Sequence, residues 1–496
     1  MPMPLWRRFL EGVTYVCLPM AAIATLAWIV AHQLPYGAEL HGFEAALLDH
    51  ARRWHDGAPV YGPPDILFTP LLYAPGFWWA TAAAGAVVGL DLTAARIVSA
   101  LALVGAMACL FDLTRRLTGD WRHGLLAAGF YAMTFNVAQG RAALGLSDGL
   151  ATALALGAGV ALSRMRTWRG ATIAGLLLVA AVFTKQTMLL VVLAGGVWAL
   201  AHRRQLLVPL VAVTSVVGLG LAGWLTLSTD GWFATYVVHI PLSVPWRWSA
   251  VTGFPFADLR PVHVALLMTL LVMVLPRRPL ERPTADETLA VLVVATLVTA
   301  SWLGRLHQGG HVNALIPALA AASLGLAVSV HRLALRIAAV LKSRLSPFYV
   351  PVIVIVQFWM LAYDPRDFLP PATGAADVAA IRAELRALPR PLFLPGDGYW
   401  VDAVTGAEPF ATNDLGYLKD RPWLAELIAA SDKAVREGAY AAVVLPSFLV
   451  DAYRDELAPR YRFDRWVGPA DRPVGVRHSD LVGWRTYPYA VFLRVP

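Results

Sequence analysis

A chain of 496 residues with 58% hydrophobic and only 15% charged residues, at a mean hydropathy of +0.57, does not have the composition of a soluble enzyme; soluble domains carry about 25% charged residues. It reads as a membrane protein with many spans, whose backbone polar groups must be satisfied inside its own helices. The net charge of +8 is not gathered on one soluble face, which argues against nucleic acid as a partner and for loop arginines and lysines that face the cytoplasm and anionic headgroups.

Arg7 and Arg8 precede a long apolar stretch with no small-residue cleavage site, the pattern of a signal anchor and not of a cleaved signal peptide. A spanning helix needs about 20 apolar residues, somewhat fewer when flanking side chains snorkel. Spans are expected at Val13–Gln33, Ala94–Thr114, Gly124–Gln139, Ser147–Ser163, Gly170–Thr184, Thr187–Ala201, Leu206–Ser228, Val262–Pro276, Thr288–Leu303, Val312–Val330 and Pro347–Tyr363, about eleven in all. Cys17 and Cys109 fall inside apolar segments and read as small fillers.

Charge decides the fate of one more apolar run, Ile66–Leu90. Basic clusters stand at Arg7/Arg8, Arg115/Arg116/Arg122, Arg164/Arg166/Arg169, Arg203/Arg204, Arg277/Arg278/Arg282 and Arg332/Arg336/Lys342/Arg344. They share the cytoplasmic side with the N-terminus only if Ile66–Leu90 does not cross. That run is therefore expected to be an interfacial or re-entrant helix in the first outer loop (residues 32–90), with Tyr73, Trp78 and Trp79 in the headgroup belt. From Asp364 charges return and apolar runs shorten. Pro391–Pro395, Tyr440–Leu445 and Tyr489–Val495 read as strands, Asp377–Leu388 and Trp423–Glu437 as helices. The expectation is a polytopic α-helical membrane domain (1–363) followed by a small α/β soluble domain (364–496) outside the cytoplasm.

Ionisable groups at the membrane boundary are costly and usually face a cavity. The outer loop carries Glu39, Glu44, Asp49, Asp56 and Asp65. His41–Trp54 has helical periodicity, with Glu44 at its start and Asp49 about a turn and a half later. Either can act as general base toward an acceptor hydroxyl or amine; a helix-start acid is also favoured by the dipole alone. Asp56 and Asp65 adjoin Gly57 and Pro64 and read as turn formers. Ser147–Asp148 opens a span, as a helix cap or as a second acid on the same cavity, with Arg141 near enough to hold a phosphate. Thr184–Lys185–Gln186 is a tight outward turn whose lysine suits a phosphate oxygen or snorkels to headgroups. In Arg305–His307–Gly309–Gly310–His311–Asn313 the glycines permit close approach of a ligand, and His311 and Asn313 can donate to a phosphate or a sugar. His307 and His311 lack a fixed third ligand for a metal. His239, Trp246, Arg247 and Trp248 in the long Thr229–Pro261 loop suit the membrane interface or sugar stacking. No Walker loop, dinucleotide fingerprint or G-x-S-x-G elbow occurs, which excludes ATP chemistry. No cofactor is assigned, and a divalent cation stays open.

In their order these motifs resemble the bacterial members of the GT-C glycosyltransferase superfamily, the relatives of protein O-mannosyltransferases and of lipid A aminoarabinose transferases. The resemblance runs through Phe43–Glu44, Gly57–Ala58–Pro59–Val60–Tyr61, Tyr73–Ala74–Pro75, Asp148, Thr184–Lys185–Gln186 and Gly309–Gly310–His311–Val312–Asn313 to Pro317. The Asp-Glu pair that many members carry after the first span reads Phe43–Glu44 here, which leaves Glu44 or Asp49 as the base. Such a resemblance implies inverting transfer of a hexosyl or pentosyl group from a polyprenyl-phosphate sugar to a lipid, glycan or protein acceptor, at the outer face of a bacterial inner membrane. Glu44, Asp49 and Asp148 are then the catalytic acids. Lys185, Arg141, Arg305 and His311 hold the donor phosphate, and Tyr61, Tyr73, Gln186 and Asn313 line the substrate. The rival class is a polytopic transporter or lipid flippase, for which inverted repeats and mid-membrane ionisable groups are expected; a third is an inactive family member that binds a partner.

Overall fold

A computed structural model describes residues 5–41, 43–63, 68–274, 283–340, 348–403, 405, 422–469 and 488–495. Asp65, the first residues of the Ile66–Leu90 run, Pro276, Arg277, Arg278, Arg282, Lys342, Arg344, Pro347 and Gly406 lie outside the described residues.

Each predicted span is helical over most of its described length, the exceptions being the ends of Gly124–Gln139, where 137–139 form a turn, and of Pro347–Tyr363, where the helix stops at Met360. Among the described residues five helices are long and apolar enough to cross a membrane: Leu5–Gln33, Leu92–Thr118, Arg204–Ser228, Ala285–Leu306 and Val312–Arg336. The bent pair Ser249–Asp258 and Arg260–Val272 makes up to six. Others, such as Trp168–Thr184 and Tyr349–Met360, are shorter apolar helices. At 1.5 Å per residue they reach roughly 18–26 Å, less than a hydrocarbon core of about 30 Å, so length alone does not give the count of eleven.

The bundle has two unlike ends. At one, ion pairs lace the helix termini together: Arg116 and Arg166 to Asp286, Arg122 to Glu11, Arg164 to Asp112 and Arg332 to Glu287. Ser147–Arg164 runs from that end to the other, where Asp148 sits. Three of the sequence's basic clusters are thereby gathered opposite Asp148.

Gly76–Val88 begins and finishes at the Asp148 end. Gly76 lies so close to the end of the neighbouring Trp168–Thr184 helix that a Cβ would come 2.7 Å from Thr184 Oγ1. Three residues past Val88, Asp91 caps the Leu92–Thr118 helix by accepting from Thr93 and Ala94 N–H. Val87 and Val88 are exposed and apolar, 84% and 49%. The aromatic belt expected here is corrected in one member. Trp78 is fully buried, its ring 4.8 Å from His50 and 5.9 Å from Tyr61; helical spacing puts it on the inner face beside Phe77. Trp79 is partly buried against Trp54 at 5.4 Å.

Beyond Asp364 a helix, Gly374–Arg386, precedes a sheet that among the described residues has four strands, β1 (Leu392–Phe393), β2 (Ala442–Pro446), β3 (Tyr461–Val467) and β4 (Tyr489–Arg494), in the order β1-β2-β4-β3. β1 is parallel to β2, and the crossover between them carries the helix Pro422–Arg436. β4 is antiparallel to both β2 and β3. β3 is a strand that the sequence reading misses. Its charged run Arg462–Asp464–Arg465 hides the β pattern because the strand lies at an edge, where charges block further pairing. This region does not stand apart. Val378, Ile381, Leu385, Trp400, Val444 and Val491 share one core with Tyr36, Leu40, Leu47, Leu48, Tyr61 and Phe77 of the first loop.

Candidate active site

The first loop is fixed to the bundle by Glu44. The Phe43–His55 helix puts an acid in its first turn and Arg52, Arg53 and His55 in its last, the polarity that its dipole favours. Glu44 has no exposed surface. Arg96 Nε and Nη2 donate to its two oxygens, both at 2.8 Å. The N–H groups of Leu40, His41 and Gly145 donate as well, at 2.7, 3.3 and 3.0 Å. A carboxylate has about four lone-pair positions, so none remains for a substrate proton. Arg96 spends its other donors on the carbonyls of Gln33, Tyr36 and Ala38. The sequence does signal Arg96, as a lone arginine just inside a predicted span, but its partner lies 52 residues away.

Asp148, 1% exposed, is the centre of a second cluster. One oxygen accepts from Lys185 Nζ and the other from Asn313 Nδ2 at 2.7 Å. Asn313 Oδ1 accepts from Arg141 Nη1 at 3.5 Å, and Arg141 Nη2 donates to Gln139. Four of the residues singled out in the sequence thus meet, from segments up to 172 residues apart. Each stands at the start or end of a helix: Asp148 opens Ser147–Arg164, Lys185 follows Trp168–Thr184, Arg141 opens a single 3-10 turn, and Asn313 lies in the turn before Ile316–Val340. Burial pulls the Lys185 ammonium down, but Asp148 and the Tyr73 hydroxyl more than offset this, and its pKa ends above the ordinary value. Burial brings the Arg141 guanidinium down to about 10, helped by Arg305 and opposed by Asp148. Both remain cations at neutral pH. The cluster adjoins Glu44 through the Arg141–Asp148 turn, since Gly145 is one of the Glu44 donors.

The other predicted residues are placed less directly. Arg305 is held bidentate by Asp258 at 2.7 and 3.0 Å and also donates to the Gly310 carbonyl, so its charge is already paired. His311 lies beside Phe43, ring centroids 6.4 Å apart. Tyr61 donates to the Tyr73 carbonyl, and Gln186 to the carbonyls of Leu72 and Val237; both tie the loop down. Asp49 belongs to a charged group that reaches the C-terminal region. It is 3.5 Å from Arg52, which also reaches Asp402 at 3.4 Å. Burial pushes Asp49 up to about 7 against the pull of Arg52, and Asp397 adds to the rise. Burial also raises Asp397 to about 7, against its hydrogen bond to Tyr489. Among the described residues, no three of His, Cys, Asp or Glu are grouped to hold a metal ion.

A family model described as dolichyl-phosphate-mannose-protein mannosyltransferase matches residues 72–225, the stretch that carries Tyr73, Arg141, Asp148, Lys185 and Gln186. Among solved structures the chain is similar to ArnT from Cupriavidus metallidurans bound to undecaprenyl phosphate, with a TM-score of 0.61 at 14% identity over 97% of this chain and 98% of that one. The apo state of the same ArnT gives 0.58 at 15% identity over 95% and 97%. No curated protein matches by sequence.

Proposed function

We propose that this chain is an integral-membrane glycosyltransferase that moves a hexosyl or pentosyl group from a polyprenyl phosphate to a lipid, glycan or protein acceptor, with inversion. The observation that carries this reading is the Asp148–Lys185–Asn313–Arg141 cluster. Two cations, Arg141 buried and Lys185 with its side chain 12% exposed, and one carboxylate converge at the end of the bundle that also bears the first loop and the C-terminal sheet. The likeness to an ArnT structure bound to undecaprenyl phosphate agrees with a lipid phosphate as ligand.

In this mechanism Lys185 and Arg141 hold the donor phosphate. The phosphate draws Lys185 Nζ toward itself and frees one Asp148 oxygen. The acceptor oxygen attacks the anomeric carbon, whose bond to the phosphate oxygen breaks. The leaving phosphate keeps that electron pair, stabilised by the two cations, and Asp148 takes the acceptor proton. The base is thereby assigned to Asp148. Glu44 becomes the buried anchor of the loop, because its oxygens are filled. Asp49 belongs to the contact with the C-terminal region.

The sidedness follows from charge. With the basic end in the cytoplasm, the cluster opens to the outer face of a bacterial inner membrane, and residues 364–496 stand in the periplasm, where they select the acceptor. Mass spectrometry of lipid that co-purifies with the protein tests the donor class. An isoprenoid phosphate is the expected species; phospholipid alone overturns the assignment.

A further inference from the structure

A small cavity lies inside the bundle, against the two segments that the Arg141–Asn313 hydrogen bond joins. Ala138 and Ala142 wall it on the Arg141 side, Ile316 and Leu319 on the Asn313 side, and Tyr131 and Thr134 between them; apolar side chains of the Leu18–Gln33 and Leu92–Thr118 helices help to close it. Its volume is about 10 Å³, the room that a single water molecule needs.

The two polar side chains in this wall sit one turn apart in the chain. Tyr131, 4% exposed, lies near the end of the Trp121–Met133 helix, and its hydroxyl has no hydrogen-bond partner among the described residues. Thr134 is buried as well. Its Oγ1 donates to the Tyr131 carbonyl at 2.7 Å, which uses its one hydrogen and leaves its lone pairs to accept. A buried hydroxyl that binds nothing forfeits its hydration without return, and phenylalanine would supply the same ring at no such cost. A water between the two side chains accepts from the Tyr131 hydroxyl and donates to Thr134 Oγ1, and two polar partners suffice to hold a buried water.

The cavity backs the turn that aims Arg141. Gln139 and Gly140 both have positive φ, 52° and 76°, and Gln139 is in a region that a residue with a Cβ seldom adopts. The corner is therefore held by what packs behind it and not by local preference. The guanidinium depends on this corner: Nη2 donates to Gln139 Oε1 at 3.1 Å, whereas the contact of Nη1 with Asn313 is long, 3.5 Å.

We propose that Tyr131 and Thr134 bind one water in this cavity, and that the water supports the 138–142 turn and so positions Arg141 for the donor phosphate. Tyr131 is a positioning residue, acting on the phosphate only through Arg141. That second half rests on the glycosyltransferase reading above; the hydrated tyrosine does not.

Tyr131→Phe removes the hydroxyl and keeps the ring. Full-length wild type, Tyr131→Phe, Arg141→Met and the double variant are melted in lipid nanodiscs and titrated with undecaprenyl phosphate. Tyr131→Phe is expected to melt lower than wild type, because a bound water loses its donor, and to bind about fivefold more weakly, the effect of about one hydrogen bond. In the Arg141→Met background the same substitution should leave the affinity unchanged, since the group it positions is gone. A Tyr131→Phe protein that melts with or above wild type overturns the water site. Unchanged affinity in Tyr131→Phe, or an equal loss with and without Arg141, overturns the positioning role and leaves the transferase reading standing. Failure of wild-type protein to bind undecaprenyl phosphate overturns that reading and the positioning role with it, while the melting result still decides the water.

Discussion

Glu44 and Arg96, neither with any exposed side-chain surface, meet through two hydrogen bonds of 2.8 Å each. This pair locks the loop after the first span to the start of the Leu92–Thr118 helix. Breaking a buried pair by removing one partner strands the other charge, at about 3–5 kcal/mol. Glu44→Ala and Arg96→Ala are each expected to lose that much stability and most of the folded yield, read by thermal melting of detergent-purified protein. Arg96→Lys should not rescue, since an ammonium cannot reproduce the fork. A Glu44 variant that melts like wild type but is inactive would restore Glu44 as the base.

Asp148 behaves differently in this account. Asp148→Asn keeps the shape of the side chain but leaves one accepting oxygen for the two donors, Lys185 Nζ and Asn313 Nδ2, and removes the base and the partner charge of Lys185. Transfer is expected to fall by about 10²–10⁴. Adding Lys185→Met to it should cost far less than Lys185→Met costs alone, because the two side chains act as a unit. Fully additive losses in turnover assays would show that they work separately.

Asp49 and Asp397 set a pH dependence with a definite sign. Both folded-state values, about 7, lie above the ordinary 3.8, so the folded chain binds the more protons between about pH 4 and 7. Their contribution to stability therefore falls as pH rises through that window and levels off above it. Asp49→Asn removes part of this. Its melting temperature relative to wild type is expected to be higher at pH 8 than at pH 5. An equal difference at both pH values would contradict the burial argument.

Trp78→Ala separates the core from the headgroup belt. A fully buried tryptophan replaced by alanine costs about 3–5 kcal/mol, whereas the partly buried Trp79 should cost clearly less. Equal and small effects in chemical denaturation would return Trp78 to the membrane surface.

Helix positions and the Asp148–Lys185–Asn313–Arg141 set were open to sequence reasoning, because apolar length locates spans and charge is conspicuous where it is expensive. Three things were not. The saturation of Glu44 depends on Arg96 and Gly145, brought in by tertiary packing, and on two N–H groups of the turn just before it, and none of these partners can be read from the acid itself. The burial of Trp78 depends on His50 and Tyr61 on other segments, and an aromatic residue in an apolar run fits lipid and core equally well. β3 was hidden because its edge position rewards charge over alternation.

The central claim is that Lys185 and Arg141, beside Asp148, hold a polyprenyl phosphate. Its most direct measurement is undecaprenyl phosphate affinity for wild type and for Lys185→Met in nanodiscs of neutral lipid. The account predicts saturable wild-type binding and a loss of at least about tenfold in the variant; equal affinity in the two proteins would contradict it.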